Sequence, residues 1–126
     1  MRTTNLYDHA IPTYAGYRDV SPDATYEART RIRMIDVREP HEFVGELGHV
    51  PGSELVPLST LGAVARHWDR QSEVILICRS GGRSGRAAET LVAAGFGRVM
   101  NMAGGMLAYN AKQLPTERAP RAAGAA

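Results

Sequence analysis

Residues 74–96 read VILICRSGGRSGRAAETLVAAGF, and their order of residue types decides the fold. With Glu73 in front, the segment begins as an uninterrupted apolar, largely β-branched run to Cys78. That pattern predicts a strand buried on both faces, as in a parallel sheet. A loop of Gly, Ser and Arg follows. The apolar period then changes to that of a helix from Ser84, which Gly95 closes as a left-handed cap. Strand, tight loop and helix in direct succession are half of a parallel βαβ unit.

The flanking sequence repeats the alternation. Residues 17–20 (YRDV) read as a short strand. Ser21 is a helix N-cap, Pro22 stands at the first helical position and Asp23 lies in the first turn of a helix over 21–29. RIRMIDVR (31–38) alternates as a strand, and EPHEFVGEL (39–47) reads as a short helix stopped near Gly45 or Gly48. SELVPLS (53–59) is a strand broken by Pro57, and TLGAVARHW (60–68) a helix with Leu61, Val64, Ala65 and Trp68 on one face. RVMNM (98–102) is a strand and GGMLAYNAKQ (104–113) a last helix. Alternation of this kind specifies an α/β sandwich with a mainly parallel central sheet. Ligands bind such sheets at the carboxyl ends of the strands, and Cys78 ends the most apolar strand.

The chain has 126 residues, enough for one domain with a core that needs no covalent staples. Residues 1–15 read as an extension lying on a domain of 16–115, and 116–126, Ala-, Pro- and Arg-rich without period, as a flexible tail. A formal net charge of +2 gives no argument for nucleic acid. The basic residues are arginines apart from Lys112. A single cysteine excludes an internal disulfide, a Cys-only zinc site and dithiol redox chemistry. The absence of an apolar leader or a bilayer-length run predicts a cytoplasmic protein with no membrane partner. No cofactor and no metal are expected.

In CRSGGRS (78–84), Gly81 and Gly82 give the backbone the freedom to turn with positive φ. Successive N–H groups then point inward above a helix N-terminus, making an anion cup with Cys78 at its edge. A thiolate is the reactive form, and a free thiol ionises near about pH 8.5. Lowering that by two units takes about 2.7 kcal/mol. An exposed helix terminus supplies about 0.3–1 kcal/mol, so loop N–H groups and the guanidinium groups of Arg79 and Arg83 must supply the rest. The loop therefore reads as an activated nucleophile in an anion-binding cup.

At this point the sequence resembles the rhodanese family of single-domain sulfurtransferases over about residues 17–115. IDVREPHEFVGELGHVPGSELVPL (35–58) is similar to the family's first signature, CRSGGRS to its active-site loop, and GGMLAYN (104–110) to its closing helix, where the family usually has Trp and this chain has Tyr109. The resemblance implies a three-layer sandwich whose five-stranded, mainly parallel sheet carries helices on both faces. It implies that Cys78 is the nucleophile carrying sulfur as a persulfide. Arg79, Ser80, Gly81, Gly82, Arg83 and Ser84 would surround that persulfide, with Arg83 facing an anionic donor. Asp36 and Arg38 match an architectural Asp-Val-Arg, and Gly48, His49, Pro51 and Gly52 a turn that fixes the next strand. The implied partners are a small anionic sulfur donor such as thiosulfate and a thiol, cyanide or protein acceptor.

The remaining candidates weigh toward structure. Asp36, at a strand's carboxyl end, favours a hydrogen-bonding role, since the chemistry needs no carboxylate. Arg86, two residues into the helix, either adds field at the mouth or is simply solvated. His49 reads as part of a turn, His41 and His67 as solvated, and Met102 and Met106 as packing. Two other functions compete. A cysteine phosphatase or arsenate reductase uses a Cys-x5-Arg cradle, but here four residues separate Cys78 from Arg83, a tighter ring. A noncatalytic or protein-specific sulfur-delivery module is the other.

Overall fold

The computed structural model describes residues 6–119. Its elements, in chain order, are α1 (Leu6–His9), β1 (Ile11–Pro12), β2 (Arg18–Val20), α2 (Pro22–Ala28), β3 (Arg33–Asp36), α3 (Pro40–Phe43), β4 (Glu54–Leu55), α4 (Leu58–Ala65), β5 (Glu73–Ile77), α5 (Gly82–Ala93), β6 (Arg98–Met102) and α6 (Gly105–Ala111). The sheet order is β1-β2-β6-β5-β3-β4. Five strands, β2 to β4 in that order, run parallel. The expected count of five gains a sixth strand, because the short β1 pairs antiparallel to β2 through Ile11↔Asp19 and Pro12↔Arg18.

β5 occupies the centre because both of its faces are apolar. Val74 and Leu76, with Cys78 beyond them, join a core containing Leu61, Ala65, Ala87, Ala88 and Leu91 of α4 and α5. Ile75 and Ile77 join the opposite core, with Ala28 of α2 and Met106 and Tyr109 of α6. Met102 and Met106 are fully buried there, as packing. Truncating one such side chain, Leu76 or Leu91, to Ala costs about 2–5 kcal/mol through lost transfer energy and the cavity left behind.

Local chemistry sets most boundaries. The Ser21 hydroxyl accepts from the N–H of Ala24 at 3.0 Å, and Pro22 opens α2. Gly95, at φ +100°, turns the chain after α5, and the Phe96 N–H reaches back to the Leu91 carbonyl at 3.0 Å. The strand expected over 53–59 shrinks to Glu54–Leu55, because Pro57 has no N–H to continue it and instead caps α4. Trp68 falls in the turn beyond α4, edge-on to Phe96 at 6.4 Å with Arg33 over its ring. Of the segment read as a tail, 120–126 lie outside the described residues, while Glu117 exchanges backbone hydrogen bonds of 2.8 and 2.9 Å with His49.

Candidate functional site

Cys78 follows the last residue of β5, at the carboxyl end of the parallel strands, and α5 starts four residues later. The loop between them is held from two sides. Gly81, at φ +108°, is the left-handed N-cap of α5. Gly82 is already helical, so of the glycine pair the first alone makes the turn. On the other side, the N-terminus of α6 grips the loop backbone: Met106 N–H donates to the Cys78 carbonyl at 2.8 Å and Leu107 N–H to the Arg79 carbonyl at 3.0 Å. A trans peptide places C=O and N–H on opposite sides. Drawing the Arg79 carbonyl toward α6 therefore aims the Ser80 N–H back into the cup.

The thiol lies inside this ring. Cys78 is 1% exposed. Its Sγ accepts from Gly81 N–H at 3.0 Å, and the Ser84 hydroxyl stands 3.2 Å away. Burial pushes the thiol toward its neutral form. The Ser84 hydroxyl and the N–H groups of Ser84, Gly81 and Ser80 outweigh it, so the Cys78 pKa falls below that of an ordinary thiol. Ser84 is fully buried and also touches Asn101 Oδ1 at 2.5 Å.

The two loop arginines differ. Arg83 makes a bidentate pair with Glu42 of α3, Nη1–Oε1 at 2.8 Å and Nη2–Oε2 at 2.9 Å. Its hydrogen bonds, chiefly, drive the Glu42 carboxyl down to about 2. Arg79 is exposed and lines a cleft of about 260 Å³ beside the loop, together with Arg38, His41, Glu42, Glu46 and Leu47. Positive charge at the mouth thus comes from Arg79, while Arg83 fastens the loop to α3. Ser80 and Arg86 are exposed, Arg86 on α5.

Asp36 and Arg38 neutralise each other in the interior, with Nε–Oδ1 at 2.9 Å and Nη2–Oδ2 at 2.8 Å. Arg38 also donates to the Gly48 carbonyl at 2.7 Å, tying the 48–52 turn to β3. His49 is buried in that turn, Nδ1 2.7 Å from the Phe43 carbonyl and its ring stacked on Phe43 at 3.6 Å. His41 and His67 are exposed.

Sequence reading passed over two contributors. Gly105, at φ +59°, has no room for a side chain, since a Cβ there would lie 2.5 Å from the Arg79 carbonyl carbon and oxygen. The Gly104–Gly105 pair at the start of α6 was its signal. Asn101, on β6 and 5% exposed, is the other, and a polar residue inside an apolar strand was the clue. Among the described residues no group of three His, Cys, Asp or Glu is placed to hold a metal, and no helix is long and apolar enough to cross a membrane.

The family model described as "Rhodanese-like domain" matches residues 21–112. "Thiosulfate sulfurtransferase 16, chloroplastic" of Arabidopsis thaliana is 36% identical over 97 residues, covering 68% of this chain and 79% of that protein. "Putative sulfur carrier protein YrkF" of Bacillus subtilis is 36% identical over 81 residues, covering 64% of this chain and 43% of its own length. The chain also spans only 58% of an uncharacterized Synechocystis relative, so it matches part of several longer proteins. Among solved structures, a rhodanese-related protein from Thermoplasma volcanium superposes with a TM-score of 0.73 at 27% identity, covering 82% of this chain and all of that one (100%).

Proposed function

The chain belongs to the Rhodanese-like domain family, and from that premise we propose that it is a sulfurtransferase working through a persulfide on Cys78. The observation that carries the reading is the thiol's setting: a nearly covered Sγ at the carboxyl end of β5, with the Gly81 N–H donating at 3.0 Å and the Ser84 hydroxyl oxygen 3.2 Å away. The loop N–H groups favour the thiolate first, joined by the Ser84 hydroxyl when its hydrogen turns toward sulfur. They then favour the terminal sulfur anion of a persulfide, which places negative charge in the same cup.

The steps balance without any outside oxidant or reductant. The Cys78 thiolate attacks the outer sulfur of thiosulfate, the Sγ–S bond forms, the donor's S–S bond breaks, and sulfite leaves with the electron pair. A cyanide or thiolate acceptor then attacks the outer sulfur of the persulfide, and Sγ departs as thiolate. Arg79, exposed beside the cleft, attracts the dianionic donor. Arg83 shapes the loop through Glu42. A backbone ring with four residues between Cys78 and Arg83 fits a single sulfur better than a tetrahedral oxyanion.

A second reading, delivery of the sulfur to one protein acceptor, is favoured by the single cysteine: with no resolving thiol in the chain, a persulfide waits for an external acceptor. Thiosulfate:cyanide kinetics test the proposal. Cys78→Ser should leave below about 1% of wild-type turnover, as for loss of a covalent nucleophile. Arg79→Ala should raise KM for thiosulfate about tenfold with little change in kcat, an effect that shrinks with salt. Retained turnover in Cys78→Ser would reject the nucleophile. An unchanged KM in Arg79→Ala would reject its role toward the donor.

A further inference from the structure

Behind the thiol, a chain of polar groups runs from Ser84 to two residues that the sulfur-transfer steps leave unused, Asn101 and Asp19. Ser84 Oγ lies 3.2 Å from Cys78 Sγ, 2.5 Å from Asn101 Oδ1 and 3.3 Å from the Gly81 carbonyl oxygen. Asn101 Nδ2 donates to Asp19 Oδ1 at 3.1 Å, across the β2–β6 pairing in which the two residues are direct partners. Ser84 and Asn101 are buried and Asp19 is half-buried.

The hydrogen atoms on this chain are over-subscribed. A carboxylate accepts and cannot donate, so Asp19 must face the NH₂ side of the Asn101 amide. That turns Oδ1, a pure acceptor, onto Ser84. Two oxygens at 2.5 Å need a proton between them, and the Ser84 hydroxyl holds the one proton available. A hydroxyl has a single hydrogen. When it points at Asn101, Sγ faces an oxygen lone pair, an arrangement that suits S–H and leaves a thiolate without that donor. Supporting a thiolate requires the hydroxyl to rotate toward Sγ. Asn101 Oδ1 then meets a bare oxygen, and the amide must withdraw or turn over and release Asp19.

We infer that Asn101, held in one orientation by Asp19, is a positioning residue that competes with Cys78 for the Ser84 hydrogen and so sets how readily the thiol ionises. The inference rests on Cys78 being the nucleophile proposed above. Asp19 and Asn101 reach the sulfur through Ser84 and do not touch it. Arg83 on α5 interacts electrostatically with both Cys78 and Asp36 of β3, and Arg79 of the loop is exposed. None of these groups is altered in the variants below.

The test is a pH titration of the thiolate by its ultraviolet absorbance, with Cys78→Ser as the blank. It needs no substrate and no sulfur transfer, so it stands even where the transfer assay fails. Asn101→Ala frees the Ser84 hydrogen for sulfur, and the thiolate-to-thiol ratio at a given pH should rise about tenfold, one unit in midpoint. Asp19→Asn should move it the same way by letting the Asn101 amide turn over. Because the effect runs through Ser84, each shift should vanish in a Ser84→Ala background. Asp19→Asn, on a half-buried strand, carries the test should Asn101→Ala fail to fold by circular dichroism. A midpoint unmoved in the folded variant overturns the inference. So does a shift of equal size in the presence and absence of the Ser84 hydroxyl, since a field or packing effect would not need it.

Discussion

Two residues of opposite charge, Arg83 and Glu42, show how far a residue's role depends on its partner. From the sequence Arg83 is a free cation in an anion cup. In the fold its guanidinium is held by a carboxylate 41 residues away, with side chains only 31% and 19% exposed. Nothing local to CRSGGRS signals that contact, whereas the proposal of Cys78 as the reactive atom rests on a strand end, loop and helix start within seven residues. Asn101 escaped sequence reading for the same reason, its partners lying 17 and 82 residues away. The pair has a consequence in acid. Glu42 is held at about 2 against an ordinary 4.5, so the folded state binds its proton less readily than the unfolded chain. Its contribution is complete above pH 4.5 and is lost as pH falls toward about 2. For a charge-assisted pair this amounts to about 1–3 kcal/mol. Glu42→Gln should lower the thermal midpoint at neutral pH and flatten its fall between pH 5 and 3, measured by circular dichroism. A parallel fall in both proteins would show that the pair adds no stability.

At the scale of elements, the site is a strand end and a helix start with a second helix pinning the loop between them. The strand and both helices were legible from period and caps, because these are local signals. That α6 clamps the loop was not, since the contact joins residues about a quarter of the chain apart. Gly105 is where the clamp is tightest. In Gly105→Ala the new methyl meets the Arg79 carbonyl at 2.5 Å, and φ +59° disfavours any side chain. The loop must shift, its N–H donors must misalign, and strain of about 1–3 kcal/mol is stored. The expected result is a raised thiolate midpoint and at least about a tenfold loss of transfer. A Gly105→Ala protein with wild-type titration and kinetics would mean that α6 does not organise the cup.

Across the whole molecule, the doubly covered parallel sheet was legible because β5 is apolar on both faces, but its edges were not. β1 is two residues long, too short to carry a period, and residues 116–119 have none. Yet the end of the described chain is fastened. Tyr109, fully buried, donates its hydroxyl to the Pro115 carbonyl at 2.6 Å, and burial raises its pKa. Two residues on, Glu117 closes onto His49. Tyr109→Phe leaves that carbonyl without its donor and should cost about 1–2 kcal/mol in urea unfolding, while the thiolate titration stays unchanged. A shifted titration would mean that the far side of the sheet is coupled to the thiol. The central claim, that this fold exists to load one sulfur on Cys78, is tested most directly by intact-mass measurement of the protein after exposure to thiosulfate and desalting. The account predicts a gain of one sulfur atom on the wild-type chain, located at Cys78, removed by cyanide and missing in Cys78→Ser. An unchanged mass, or the same gain in Cys78→Ser, would contradict it.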